Sequence, residues 1–396
     1  MIITPQLAGN VARSCHPIGC QQALQAQIDY VRAQGAITTP KRVLILGASS
    51  GFGLAARVAL AFGGGADTYG ISFERGPSEK GVGSAGWYNN CYFRQAAEAA
   101  GLQAANTIGD AFSPKVQEKV IADLKADFGQ IDMVIYSLAT GRRDIPATGE
   151  SFRSVLKTTG APVEGNTINL EAQALEWTSI PTATSEEITH TTKVMGGEGW
   201  QEWIEALLAA DLLAPGAQTL AFSYLGPELS APVYRFGTIG VAKEHLHATA
   251  NHLNEQLQQT VGGIAYPVVA KALVTKASVF IPVMSVYLAL LMKQMKANGT
   301  HEGCIEQCYR LFATKGAGQQ PVLDEDRQLR LDDYELAPSL QAEIAKIYPT
   351  INGDNFKALT DFDGYLHDFM ALNGFDLAGV DYSAEVDMTE MAALKP

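Results

Sequence analysis

Tyr234 and Lys243 stand nine positions apart in YRFGTIGVAK, with Gly237, Thr238 and Gly240 between them. Hydride transfer coupled to proton donation uses such a pair. A phenol of pKa about 10 is a poor acid at neutral pH unless its anion is stabilised. An ammonium a few ångströms away stabilises it and can also hydrogen-bond a nicotinamide ribose. Nine positions on one helix amount to a rotation of about 900° and a rise of about 13 Å, so both residues cannot serve one site from the same helix. Tyr234 is therefore expected ahead of a helix, with a bend through Phe236 and Gly237, Thr238 as N-cap and Lys243 on the first turns. The bland alternative is a packed tyrosine and an unrelated surface lysine. The pair's place after a strand, in a chain that also carries a nucleotide cradle, argues for the functional reading.

That cradle is Gly47-Ala48-Ser49-Ser50-Gly51-Phe52-Gly53, between RVLIL and GLAARVALAF. Glycines let the backbone turn tightly and approach a pyrophosphate, and a helix N-terminus offers unpaired N–H groups to the anion. Phe73 and Glu74 end the second strand on the adenosine side. A carboxylate there accepts hydrogen bonds from both ribose hydroxyls and repels a 2′-phosphate, which favours NADH. Arg75 supports the competing reading, in which a guanidinium welcomes the phosphate of NADPH. Ligands of parallel sheets lie across the carboxyl ends of the strands. Asp110 and Ala111 would thus border the adenine, and Ser137, Leu138 and Ala139 the nicotinamide-side ribose, unless they are strand-end residues and no more. Tyr224, ten residues before Tyr234, either grips a substrate carbonyl oxygen or is a core aromatic.

The elements that must position these groups can be read from residue 42 onward. Short β-branched runs alternate with longer amphipathic ones, the pattern of an α/β, Rossmann-type doubly wound parallel sheet. Strands are expected at 42–48, at 67–74, in LQAANTIGDA, at 131–140, in AQTLAFSYLG and in GGIAYPVVAKALVT. Helices are expected after the cradle, from Ser113 and Pro114 through Phe128, from about Trp200 to Leu213 with a stop at Pro215 and Gly216, and from Thr238 to Gln259. The alternation lapses over 141–199, too long for a plain connection, and reads as a substrate-side insertion. ASVFIPVMSVYLALLM, residues 277–292, contains Pro282 and is shorter than the about 20 apolar residues of a spanning helix, so it reads as one buried helix. The organisation expected is a core over 1–315 with an N-terminal extension and that insertion, and a helical and loop cap over 316–396.

The formal charge is −13, from 29 basic and 42 acidic residues, which argues against nucleic acid and anionic membranes as partners. MIITPQLAGN has neither a basic n-region nor an apolar run. Five cysteines, Cys15, Cys20, Cys91, Cys304 and Cys308, are few and odd in number for 396 residues, which suits a reducing cytoplasm. His301, Cys304 and Cys308 share a helical face, but without a fourth ligand they read as packing, and no metal is expected.

TLAFSYLGPELSAPVYRFGTIGVAKEHLHATANHL resembles the active-site region of enoyl-acyl carrier protein reductases, which reduce the carbon–carbon double bond of a 2-enoyl thioester with a nicotinamide cofactor. The eight residues between Tyr234 and Lys243 look like the wider spacing of FabV-type enoyl reductases and the related trans-2-enoyl-CoA reductases. HPIGCQQALQAQIDYV, GASSGFG, GSAGWYNN, YSLATGRRDIPATGE, VMGGEGWQEWIEALL, ALVTKAS, LRLDDYEL and GVDYSAEV extend the resemblance along almost the whole chain. It implies Tyr234 as proton donor, Lys243 as an NADH ligand, Tyr224 on the substrate, and Leu273, Val274 and Thr275 against the nicotinamide end. That family is also described with a flavin-type C-terminal segment. No glycine-rich cradle follows residue 316, so no flavin is expected.

An enoyl thioester needs an apolar slot for its acyl chain. The run from Ala277 to Met292, with small residues at Ala277, Ser278 and Ser285, is a candidate, though core packing explains it as well. The carrier, coenzyme A or acyl carrier protein, brings negative phosphate, for which Arg142, Arg143, Lys271 and Lys276 form a candidate basic patch. The rival functions are a short-chain carbonyl (3-oxoacyl) reductase and a non-catalytic NAD(H)-sensing protein. The added length over common short-chain dehydrogenases covers their assembly surfaces on this reading, which points to a monomer.

Overall fold

RVLIL forms a strand whose last four residues, Val43, Leu44, Ile45 and Leu46, are wholly buried, as a central parallel strand covered on both faces requires. The computed structural model describes residues 1–79, 81–145 and 148–396; Pro146 and Ala147, within YSLATGRRDIPATGE, lie outside the described residues. The main sheet holds β1 (Arg42–Leu46), β2 (Asp67–Ser72), β3 (Ala104–Ile108), β4 (Ile131–Tyr136), β5 (Leu213–Ser223), β6 (Ile264–Val269) and β7 (Leu329–Arg330). All are parallel, in the spatial order β3-β2-β1-β4-β5-β6-β7. The order reverses between β1 and β4, and that switch point is where such sheets open a ligand crevice at their carboxyl ends.

Alternate residues of β1 feed two cores. Val43 and Ile45 join a cluster with α1 (Pro17–Gln34), α2 (Gly51–Val58), α3 (Ala85–Ala99) and, from later in the chain, Ile305, Cys308, Leu311 and Phe312. Leu44 and Leu46 join α4 (Pro114–Asp123) and the tryptophans Trp200 and Trp203 on the other face. The segment from 141 to 199 adds no strand to this sheet among the described residues. It forms a hairpin of Arg142–Ile145 with Glu150–Arg153, a second of Val163–Asn169 with Ala174–Ile180, and α5 (Ser185–Met195).

Several expected boundaries move, among them those of the strands expected at 67–74 and 131–140, which end at Ser72 and Tyr136. The helix after the insertion, α6 (Glu198–Ala209), ends before Leu213, which is buried and pairs with Ile131 as the first residue of β5. Pro215 and Gly216 therefore sit in an irregularity of β5, where the register with β4 shifts between Leu213 and Gln218, rather than ending a helix. The helix from Thr238 is α7 (Thr238–Thr260). The apolar run splits: Ser278–Phe280 makes one 3-10 turn, and α8 (Met284–Ala297) begins only after Pro282. Proline has no N–H to donate, and Val283 takes a left-handed φ of 67° as the N-cap. Then come α9 (Cys304–Ala313), α10 (Pro338–Ile347), α11 (Phe356–Leu359) and α12 (Phe362–Ala371). A third apolar cluster joins α8 to α10, α11, α12 and the second hairpin, with Tyr224 and Val233 packed against it.

Candidate active site

At the switch point Gly47 has φ 89°, and a Cβ there would lie 2.3 Å from the Ser137 carbonyl oxygen, so the turn from β1 requires glycine. The α2 helix starts at Gly51 with no side chain capping it, which leaves its first N–H groups for an anion. Ala48 and Ser49 are buried behind the turn, while Ser50 and Phe52 stand partly open. A Cβ on Gly53 would fall 2.0 Å from the Gly47 carbonyl, so the helix packs directly on the turn. Thr275 faces Gly51 from across the groove, its methyl 4.0 Å from where a Cβ would be.

Glu74 is held by two hydroxyls, Ser49 Oγ at 2.6 Å on Oε1 and Ser84 Oγ at 2.5 Å on Oε2. Asn89 Nδ2 donates to the Ser49 carbonyl at 2.9 Å, tying α3 to the cradle. Ser84 and Asn89 were not picked out from sequence, although both belong to GSAGWYNN; a serine before a helix reads locally as a cap, whereas here it orients a carboxylate. Phe73, 82% exposed, offers an open aromatic face beside Glu74. Asp110 and Ala111 follow β3, and Leu138 and Ala139 follow β4; Asp110 and Leu138 are partly open, Ala139 is exposed and Ala111 is buried.

Tyr234 lies ahead of α7, as the helical arithmetic demands. Its ring meets that of Tyr224 edge to face, 4.7 Å between centroids. Lys243 Nζ donates to the Phe222 carbonyl at 3.1 Å. Both members of the pair thus touch the chain at the end of β5, Lys243 at Phe222 and Tyr234 at Tyr224. The N-cap of α7 is Gly237, not Thr238. Thr238 is the first helical residue and its hydroxyl donates to the Val155 carbonyl at 2.5 Å, while its N–H donates to the Lys157 carbonyl at 2.9 Å. The threonine therefore binds the bend to the insertion. Added Cβ atoms on Gly237 and Gly240 would lie 2.3 and 2.2 Å from the carbonyls of Val233 and Arg235, which explains the small residues in the gap.

Burial pushes the Lys243 ammonium down to about 8 and the Tyr234 phenol well above its ordinary value. His247, one turn along α7, touches Ser223 Oγ at 2.8 Å and is pushed down to about 4 by desolvation and by Lys243, so it stays neutral behind the ammonium.

The expected basic patch does not form. Arg143, 3% exposed, pairs with Glu198 at 3.0 Å and Glu202 at 2.6 Å, and Arg142 pairs with Asp144 at 2.8 Å. Lys271, 2% exposed, donates to the Ala272 carbonyl. A cavity of about 220 Å³ is lined instead by Arg13, Arg75 and Lys276 together with Phe280, and these three cations have no ion-pair partner among the described residues. The α8 half of the apolar run is core, with Ser285 accepting from the Ile168 N–H at 2.8 Å. Cys308 packs under the cradle, its thiol 3.5 Å from the Phe52 carbonyl, and the His301 ring is likewise pushed down to about 4.

Residues 81–315 match the family described as the trans-2-enoyl-CoA reductase catalytic region, and residues 2–79 match the NAD(P)H binding domain of trans-2-enoyl-CoA reductase. The chain belongs to the trans-2-enoyl-CoA reductase family. It is 54% identical to an enoyl-[acyl-carrier-protein] reductase [NADH] 2 of Photobacterium profundum and 47% identical to a trans-2-enoyl-CoA reductase [NADH] of Clostridium beijerinckii, in each case over 100% of both chains. The crystal structure of the Clostridium acetobutulicum trans-2-enoyl-CoA reductase in complex with NADH superposes with a TM-score of 0.98 at 45% identity, again over 100% of both chains. That trans-2-enoyl-CoA reductase thus shares this chain's fold over its whole length.

Residues 323–386 match the enoyl reductase FAD binding domain. The residues present there fit a flavin poorly. A Cβ on Gly364 would strike Asp361, and one on Gly374 would strike the His16 carbonyl, so these glycines serve packing rather than a phosphate turn. Phe356, Phe362, Tyr365 and Phe369 are buried against α8.

Proposed function

We propose that this enzyme uses NADH to reduce the C2=C3 bond of trans-2-enoyl thioesters to acyl thioesters, the last step of a fatty-acid elongation cycle. The observation that carries this reading is the convergence of Tyr224, Tyr234 and Lys243 on the end of β5, beside an uncapped helix N-terminus and a carboxylate-guarded ribose site.

NADH, when bound, supplies the hydride that adds to C3. Gly47 to Gly53 hold the pyrophosphate, Phe73 and Glu74 the adenosine, and Asp110 and Ala111 the adenine edge. Leu138, Ala139, Leu273, Val274 and Thr275 border the nicotinamide half, and Lys243 hydrogen-bonds its ribose. As charge moves to the thioester oxygen, the Tyr234 hydroxyl donates to it, and protonation at C2 completes the reduction. One such donor contributes roughly 3–4 kcal/mol in a dry site. NADH is the sole reductant on this reading, with no flavin and no metal, and Glu74 disfavours NADPH.

The carrier's phosphate, on coenzyme A or acyl carrier protein, fits the cavity of Arg13, Arg75 and Lys276, a local cluster of cations on an acidic chain. The Rossmann core over 1–315 and the segment 316–396 work as one monomeric cytoplasmic unit. No helix among the described residues is long and apolar enough to cross a membrane.

The test is NADH oxidation at 340 nm with crotonyl-CoA against acetoacetyl-CoA. Turnover of crotonyl-CoA is expected. Turnover of acetoacetyl-CoA alone would make this a carbonyl reductase, and NADH binding without turnover of either would make it a sensor.

A further inference from the structure

Behind Tyr224 lies a carboxylate that the mechanism above does not use. Glu335, in LRLDDYEL just past β7, is fully buried. Tyr224 Oη donates to its Oε1 at 2.8 Å, Tyr287 Oη of α8 donates to the same oxygen at 2.6 Å, and the Ala272 N–H donates to Oε2 at 2.7 Å. Gln341 of α10 braces the group, donating to the Glu335 carbonyl at 2.6 Å and to Tyr287 Oη at 3.2 Å. One side chain therefore joins the substrate-side phenol, the strand end that leads into Leu273-Val274-Thr275, and the core helix α8.

A phenol has one proton to donate. While Glu335 is ionised, Tyr224 and Tyr287 both direct theirs at Oε1, so Tyr224 presents to a bound thioester only its ring and its lone pairs. An oxygen in that state repels a developing enolate. The titratable and charged groups that face the carboxylate are Tyr224 after β5, Tyr287 on α8 and Lys271 after β6; α10 contributes the neutral Gln341. Burial raises the Glu335 carboxyl above the ordinary carboxylate range, with the hydrogen bonds and Lys271 opposing it.

We propose that Glu335 is a positioning residue for the reduction: it fixes Tyr224 edge-on against Tyr234 and accepts the Tyr224 hydrogen bond, so that Tyr234 alone donates to the enolate oxygen. The inference rests on Tyr234 being the donor, as set out above. A glutamine at 335 can keep every contact, with the direction reversed at the two phenols. Its carbonyl accepts from Ala272, and its NH2 group donates to the two phenol oxygens, which releases the Tyr224 proton toward the substrate.

The experiment is a rescue. Crotonyl-CoA reduction is measured for the native enzyme, Tyr234→Phe, and Tyr234→Phe combined with Glu335→Gln, with NADH titration and thermal melting to establish folding. The double variant is expected to run roughly tenfold faster than Tyr234→Phe, recovering part of the about 10²–10³ that one oxyanion donor supplies. A folded double variant no faster than Tyr234→Phe overturns the inference. A second measurement needs no change at 335: the residual rate of Tyr234→Phe is expected to rise as pH falls and Glu335 takes up a proton, and that rise is expected to vanish in Tyr224→Phe/Tyr234→Phe. A rate flat with pH also overturns it. Native enzyme inert to crotonyl-CoA, or Tyr234→Phe at full rate, would instead remove the functional reading beneath.

Discussion

Tyr224 and Tyr234 meet edge to face with their ring centroids 4.7 Å apart, one phenol tied to Glu335 and the other to no protein side chain among the described residues. Two chemically equal side chains are thereby made unequal. Tyr234→Phe is expected to lower kcat by about 10²–10³ with crotonyl-CoA, while NADH affinity, measured by fluorescence titration, stays close to native.

Lys243 has its ammonium pushed down to about 8 by burial. On the proposed mechanism the charged form is the one that serves Tyr234 and the ribose, and it is lost as pH rises through that value. The profile of kcat/KM, which reports the free enzyme, is expected to fall on a basic limb near pH 8. A profile level to pH 10 would contradict the assignment.

Glu74 is oriented by Ser49 and Ser84. Glu74→Gln removes the charge that opposes a 2′-phosphate and is expected to lower the KM for NADPH by roughly tenfold, the equivalent of about 1.4 kcal/mol. Ser84→Ala leaves the charge but loosens its aim, so a smaller change in the same direction is expected in parallel NADH and NADPH assays.

His247 and His301 are both pushed down to about 4, chiefly by burial. Their value in the unfolded chain is about 6.5. Below that pH the unfolded chain binds protons that the folded protein refuses, so stability is complete above pH 6.5 and is lost as pH falls toward 4. The loss is about 2 kcal/mol for each group. Urea unfolding at pH 7 and pH 4.5 measures it, and His301→Gln is expected to reduce the difference.

Arg13, Arg75 and Lys276 around one cavity predict a salt-dependent KM for coenzyme A thioesters. Arg13→Ala with Lys276→Ala is expected to raise that KM about tenfold and to leave a short thioester without phosphate unaffected. Equal losses for both substrates would assign these residues to something other than the carrier.

The glycine turn and the placing of Tyr234 ahead of the helix that carries Lys243 were legible because both are local: a glycine run after a buried strand, and a spacing that no single helix accommodates. Charged residues misled for the opposite reason. Arg143 and Lys271 read as members of an open basic patch, and only the tertiary partners Glu198 and Glu202, or the burial of Lys271, show otherwise. Pro215 and Gly216 look like a helix stop because nothing in the chain announces that Leu213 will pair with Ile131. Glu335 could not be found at all from spacing, since its partners Tyr224, Ala272 and Tyr287 lie from 48 to 111 residues away.

The edge strand β7 and the carboxylate just beyond it arrive late in synthesis. The 282 positions from Gly53 to Glu335 take a ribosome roughly 15–60 s at ordinary rates. A nascent chain can thus shape the glycine turn after β1 well before Tyr224 has the anchor that Glu335 gives it.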